Sequence, residues 1–209
     1  MSFRAVLCDL GGVVLDAPFG AFDAIEQAAG AARGAVREIN ARHPDDNAWA
    51  RIERGEISVE EFVELFTAEA AEAGHSLPAR DVIDVVHSLA PHAAIANEAI
   101  VDALRRCKQA GWVLVLVTNN VQPLAQRAES AWLFELFDDV VESCLVGLRK
   151  PEPKFYELAL ERAGVDAAEV VMLDDLGINL KPARQLGMHT IKVADPAVAA
   201  GELLSLLGE

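Results

Sequence analysis

Arg4-Ala5-Val6-Leu7-Cys8-Asp9-Leu10-Gly11-Gly12-Val13-Val14-Leu15-Asp16 runs from a short apolar stretch, past a single carboxylate at Asp9, into a pair of glycines. Residues 5–8 are apolar at every position, which reads as a strand buried on both faces rather than one with a solvent side. Asp9 then stands at the carboxyl end of that strand, where the glycines turn the chain. In open parallel sheets that end is where sites are built.

Further apolar runs, several of them rich in valine, occur at 112–117, 140–141, 170–173 and 190–193. Between them lie helical patterns at 97–110, 123–133, 153–163 and 180–186. Gly111, Gly164 and Gly187 stand just past three of these, where glycine ends a helix without steric cost. Strand and helix alternate from residue 97 onward, and that rhythm predicts a parallel sheet covered by helices. Residues 17–90 break it, with helical patterns and no convincing strand. Ser58 with Glu61 three residues later forms a capping-box signature, followed by Phe62, Leu65 and Phe66 at helical spacing. The expected organisation is an α/β core from residues 1–16 and 91–209, with a small helical unit over 17–90 reached by short connections near Asp16 and Pro91.

Composition narrows the classes of function. At 209 residues and 52% hydrophobic content, the chain can bury a full core plus a small accessory one. No basic leader precedes a long apolar stretch, and no run of uncharged apolar residues is long enough to span a bilayer, so a soluble cytoplasmic protein is expected. Cys8, Cys107 and Cys144 lack both zinc-site spacing and an even count, and are expected to be reduced. A formal net charge of -15 argues against nucleic acid or an anionic membrane as partner. A small anionic substrate is still compatible where local cations outweigh the distant field.

Four segments place polar residues at predicted strand ends or helix starts. Asp9 is the first. Thr118 and Asn119 close the run at 113–117, Lys150 precedes a helix in Gly147-Leu-Arg-Lys-Pro-Glu-Pro153, and Asp174 and Asp175 follow the strand at 170–173. Each alone is ordinary turn or surface chemistry. Their occurrence together and in this order is not. Trp49, Arg51 and Arg54, near Gly55, are read as a core tryptophan and solvated arginines. Arg149 stays outside the core site, and the five histidines show no metal-ligand spacing.

With these motifs in order and the insertion after the first strand, the whole chain resembles the haloacid dehalogenase-like hydrolase superfamily, in particular its phosphatase-like members with a helical cap. The resemblance implies a Rossmann-like, doubly wound parallel sheet and a helical cap domain at 17–90. It implies that Asp9 is the nucleophile, attacking phosphorus to form an aspartyl-phosphate. Asp9, Asp174 and the carbonyl of Gly11 would ligate Mg2+, completed by waters and substrate. Asp175 would support the metal and help to hold Lys150. Lys150 and Thr118 would grip the phosphoryl oxygens, with Asn119 and Asn179 as further contacts. The implied partner is a small phosphorylated metabolite, and the implied state a monomer or homodimer.

One departure shapes the reading. Phosphatases of this group usually carry an Asp where Gly11 stands, and it protonates the leaving oxygen. General acid–base help is typically worth about 100- to 10,000-fold. Its absence predicts a preference for good leaving groups, such as acyl, anomeric sugar or aryl phosphates, unless another donor, for which Asp16 is a candidate, replaces it. Two alternatives compete. A haloacid dehalogenase attacks carbon without a metal and has no need of the Asp174-Asp175 pair. A catalytically weak metal- and phosphate-binding regulatory module would be expected to have lost Asp9, Lys150 or Asp174, and all three are present. A Schiff-base phosphonate hydrolase needs a cap lysine, and residues 17–95 contain none.

Overall fold

The computed structural model describes residues 2–17, 19–87, 96–126 and 130–208. Five strands form one parallel sheet: β1 (Ala5–Cys8), β2 (Val113–Thr118), β3 (Asp139–Glu142), β4 (Val170–Asp174) and β5 (His189–Lys192), in the order β3-β2-β1-β4-β5. The opening segment is the centre of this sheet. Ala5 pairs with Val113 on one side and Val170 on the other, and all four β1 residues are wholly buried. Strand order reverses around β1, so the crevice beyond the ends of β1 and β4 is a topological switch point.

Eleven α-helices lie among the described residues. They are α1 (Phe19–Ala28), α2 (Ala35–Ala41), α3 (Ala48–Glu53), α4 (Val59–Glu72), α5 (Ala79–His87), α6 (Glu98–Gln109), α7 (Ala131–Leu136), α8 (Ser143–Val146), α9 (Pro153–Ala163), α10 (Gly177–Gln185) and α11 (Pro196–Leu207). The pleat of the sheet divides its side chains between two cores. Val6, Cys8, Leu114, Leu116, Val171 and Leu173 pack with Ile100 and Leu104 of α6 and Leu203 of α11. Ala5, Leu7, Val115, Val117, Val170 and Met172 point the other way, onto Phe155 and Ala159 of α9 and Leu180 and Ala183 of α10. Helices therefore cover both faces, as the unbroken apolar runs require.

Two local expectations change. The helix expected over 123–133 is divided: a 3-10 turn spans Leu124–Gln126, α7 starts only at Ala131, and 127–129 lie outside the described residues. The Leu124 N–H donates to the buried Glu142 carboxylate at 2.7 Å, which fixes the turn on the end of β3. Helix α11 has no counterpart among the expected elements, although its cap was readable: Asp195 accepts from the N–H groups of Ala197 and Val198, with Pro196 at the first helical position.

Helices α1 to α5 enclose a third core of their own. Trp49 lies edge-on to Phe62, with ring centroids 5.1 Å apart, and Phe62 stacks on Phe66 at 5.4 Å. The Ser58–Glu61 capping box is present at the start of α4. Val121, from the loop after β2, packs against this core as well. The chain leaves and re-enters the sheet domain side by side: Leu15 bridges Ala96, and Asn97 donates through its backbone to Val14 O and through its side chain to Val13 O. Pro91 and its surroundings lie outside the described residues.

Candidate active site

Asp9 is the first residue beyond β1, and its N–H donates to Leu173 O at 2.9 Å. This carries the pairing of β1 with β4 up to Asp174, the last residue of β4. Lys150 approaches from the loop ahead of α9. Its side chain is 1% exposed, and Nζ lies 2.7 Å from Asp9 Oδ1 and 2.8 Å from Asp174 Oδ2. Two further donors orient the acids. Leu10 N–H donates to Asp9 Oδ1 at 2.7 Å, and Leu176 N–H donates to Asp174 Oδ1 at 2.8 Å. Asn179, in the first turn of α10, donates through Nδ2 to both Asp174 oxygens at 3.1 Å, while its own carbonyl accepts from Tyr156 O–H at 2.7 Å. Asp9 Oδ1 is thus tied twice, whereas Asp9 Oδ2 accepts no hydrogen bond among the described residues.

Asp175 lies against the glycine loop, with its carboxylate still gathered beside those of Asp9 and Asp174. A Cβ placed on Gly12, whose φ is 78°, would lie 2.5 Å from Asp175 Oδ2, so only glycine lets the loop pass this closely. Asp175 makes no direct ion pair with Lys150 among the described residues, although the ammonium favours its ionised form. The direct ion pairs of Lys150 are with Asp9 and Asp174.

Burial pushes the Asp9 carboxyl up to about 7; Lys150 works against that shift, while Asp174 and Asp175 add to it. Asp175 is raised to about 6, by burial first and then by Asp174. Burial works against the Lys150 ammonium, yet Asp174 and Asp9 outweigh it and hold the group above its ordinary value. Oxygens of Asp9, Asp174 and Asp175 all lie within 4.8 Å of one another. Three crowded carboxylates with no nitrogen or sulfur donor among them suit a hard divalent cation, which would offset their repulsion.

Thr118 ends β2 and is 3% exposed, with Oγ1 at 3.5 Å from Asn119 O. Asn119 does not reach the carboxylates. It clamps the Lys150 backbone, accepting from Lys150 N–H at 2.8 Å and donating to Lys150 O at 2.9 Å. Nothing lies within 4 Å of a Cβ built on Gly11, so the place of the missing side chain is open space. Asp16 is exposed and makes no hydrogen bond or ion pair among the described residues.

The sequence profile of haloacid dehalogenase-like hydrolases matches residues 3–187. The chain belongs to the haloacid dehalogenase-like hydrolase family. Acyl-CoA dehydrogenase family member 10 of Mus musculus is 34% identical over 99% of this chain. The sesquiterpene phosphatase astK of Aspergillus oryzae is 26% identical over 99% of this chain and 98% of its own length. Among solved structures, a family enzyme of Bacteroides thetaiotaomicron in complex with magnesium and inorganic phosphate has a TM-score of 0.57 at 21% identity, covering 91% of this chain and 94% of that one. The chain spans 19 to 39% of the length of the four relatives that match at least 99% of it at 32 to 34% identity. No helix among the described residues is long and apolar enough to cross a membrane.

Within this haloacid dehalogenase-like hydrolase, sequence reasoning missed a second ring of residues. Arg149 donates from Nε to Glu53 at 2.7 Å and from Nη1 to Pro44 O at 3.0 Å, which ties the Lys150 loop to the helical unit. Arg54 was expected in solvent, yet it is 13% exposed and pairs with Glu56 and with Glu152 of the sheet domain. The signal for Arg149 was its adjacency to Lys150. Nothing in the spacing of Glu53 singled it out.

Proposed function

We propose that this chain is a magnesium-dependent phosphatase that hydrolyses a small phosphorylated metabolite through an aspartyl-phosphate on Asp9, with residues 17–90 as its cap. The observation that carries this reading is the Asp9–Lys150–Asp174 constellation, with Asp175 alongside, at the switch point of the sheet. A haloacid dehalogenase works without a metal and does not need the Asp174-Asp175 pair, so three carboxylates gathered within 4.8 Å favour the phosphatase reading. The solved relative that holds magnesium and phosphate, and the phosphatase relative of matching length, support the same reading.

In the proposed reaction, the untied Oδ2 of Asp9 attacks phosphorus. A bond forms from Asp9 to phosphorus as the bond to the leaving oxygen breaks. Leu10 N–H and the Lys150 ammonium hold the other oxygen and aim the carboxylate. Asp9, Asp174 and the Gly11 carbonyl would hold Mg2+, with Asp175 in support; when bound, the ion neutralises phosphoryl charge. Lys150 and Thr118 supply the remaining donors for the phosphoryl oxygens. Water then attacks phosphorus, releasing Asp9 and inorganic phosphate. Gly11 has no proton to offer the leaving oxygen, so groups that depart as stable anions are preferred.

The test is hydrolysis of an aryl phosphate with magnesium and with a chelator, using Asp9→Asn as the blank. Turnover is expected to require both the cation and Asp9, and to fall as the leaving group becomes more basic. Activity that survives D9N would overturn the nucleophile. Equal turnover across aryl, sugar 1-phosphate and alkyl phosphates would overturn the leaving-group preference.

A further inference from the structure

Glu53 ends α3 in the cap, and its side chain is 15% exposed at the seam with the sheet domain. One oxygen, Oε2, accepts from Arg149 Nε at 2.7 Å and from Asn119 Nδ2 at 3.2 Å. Asn119 is committed to Lys150 through both ends of its amide, and the Lys150 ammonium bridges Asp9 and Asp174. A continuous chain of polar contacts therefore leads from a cap carboxylate to the proposed phosphoryl-binding cation. We propose that Glu53 is a positioning residue that makes the seating of the cap a condition for the geometry of Lys150, acting through Asn119 and balanced by Arg149. This inference rests on the phosphatase reading for the role of Lys150, but the physical coupling does not.

The arrangement is more specific than adhesion between two domains requires. Adhesion is already provided nearby: Arg54 Nη1 lies 3.3 Å from Glu152, and a Cβ on Gly55 would lie 2.5 Å from Cys144 O, so the turn after α3 sits hard on α8. Neither contact touches Asn119. The Glu53 carboxylate can accept but not donate, so it takes an N–H of Asn119 and favours the amide orientation in which Oδ1 receives the Lys150 N–H. Consecutive residues of the loop are also gripped from opposite sides. Arg149 reaches the cap at Glu53 and Pro44, while Lys150 reaches the carboxylates below. A shift of the cap would pull on the loop at 149 and release Asn119 from its third contact. A lysine displaced by even 1 Å stabilises the transferring phosphoryl group less, an error that can cost about 100-fold in rate.

The experiment compares Glu53→Ala, Glu53→Gln and Arg54→Ala in the full chain, measuring kcat and KM on an aryl phosphate and amide hydrogen exchange at Lys150 by NMR. Arg54→Ala cuts the neighbouring cap–core ion pair without touching Asn119, and so controls for loss of adhesion. The expected result is a fall in kcat/KM of about 10- to 100-fold in E53A, carried by kcat, with faster exchange at Lys150. E53Q keeps an acceptor for Asn119 and restores most of both. R54A leaves Lys150 exchange as in the wild type. If E53A does not fold, Glu53→Asp takes its place, since it keeps the charge near Arg149 while withdrawing from Asn119; unchanged kcat and unchanged exchange in E53D would overturn the inference. Equal effects of E53A and R54A on kcat and exchange would also overturn it, leaving Glu53 an adhesive contact. A wild-type protein without phosphatase turnover, in which Lys150 exchange still depends on Glu53, would defeat the phosphatase reading and leave the coupling standing.

Discussion

Gly11 and Gly12 are adjacent, yet the structure asks opposite things of them. A side chain on Gly11 meets nothing within 4 Å, whereas one on Gly12 would meet Asp175 at 2.5 Å from a backbone with φ of 78°. Gly11→Asp is therefore expected to fold normally and to place a carboxyl near Asp9, the proposed nucleophile. If the missing acid limits turnover, its kcat on alkyl phosphates should rise by about 100-fold or more, with a smaller gain on aryl phosphates. A flat response in the leaving-group series would show that proton donation is not limiting. Gly12→Ala should do the reverse. Because the alanine must displace either the loop or Asp175, we expect magnesium affinity, measured by calorimetric titration, to fall by about tenfold or more, the usual scale for disturbing the support of a metal site. Unchanged affinity would mean that Asp175 does not support the ion.

At the scale of elements, the seam between α3 and α8 depends on Gly55. Gly55 has φ of 69° and no room for a Cβ against Cys144 O, whereas Gly30 has nearly the same φ, 67°, and open space around it. The pair separates two costs. Gly30→Ala reads only the left-handed backbone, about 1 kcal/mol, while Gly55→Ala adds a collision with backbone and should cost about 2–3 kcal/mol in total. Denaturant midpoints of the two variants provide the measurement, and equal losses would mean that the seam yields freely. This contact also explains where the sequence stopped being informative. Residues 17–90 announced helices through the Ser58–Glu61 box and the spacing of Phe62 and Phe66, because those are local signals. Which face of α3 meets the sheet domain depends on Gly55, Glu53 and Arg54 meeting partners about 90 residues or more away, at Cys144, Arg149 and Glu152, and no periodicity encodes that.

For the whole molecule, β1 was legible because its burial is total: unbroken apolar residues, a carboxylate and two glycines state a central parallel strand and its functional end in a dozen positions. Thr118, Lys150, Asp174 and Asp175 were legible for the same reason, each being marked by the end of an apolar run or the start of a helix. The pairing of the Lys150 ammonium with Asp9 and Asp174 was not, since it joins three segments far apart in the chain. That grouping links cation binding to global stability. Asp9 and Asp175 titrate at about 7 and about 6, above the ordinary aspartate value of about 3.9. Carboxyls whose pKa is raised by folding bind protons more tightly in the folded state, so stability falls as pH rises from the unfolded value of about 3.9 to about 7 for Asp9 and about 6 for Asp175, and the full cost is present above these values. Magnesium relieves the same repulsion and competes with those protons. At a concentration about 100 times its dissociation constant it should add about 2.7 kcal/mol, or about 5 to 10 °C in Tm for a chain of this size. That gain is expected at pH 8, should shrink markedly at pH 5, and should vanish in Asp174→Asn. Thermal scans with and without magnesium at the two pH values decide it. A gain of equal size at both would show that the ion binds away from Asp9 and Asp175.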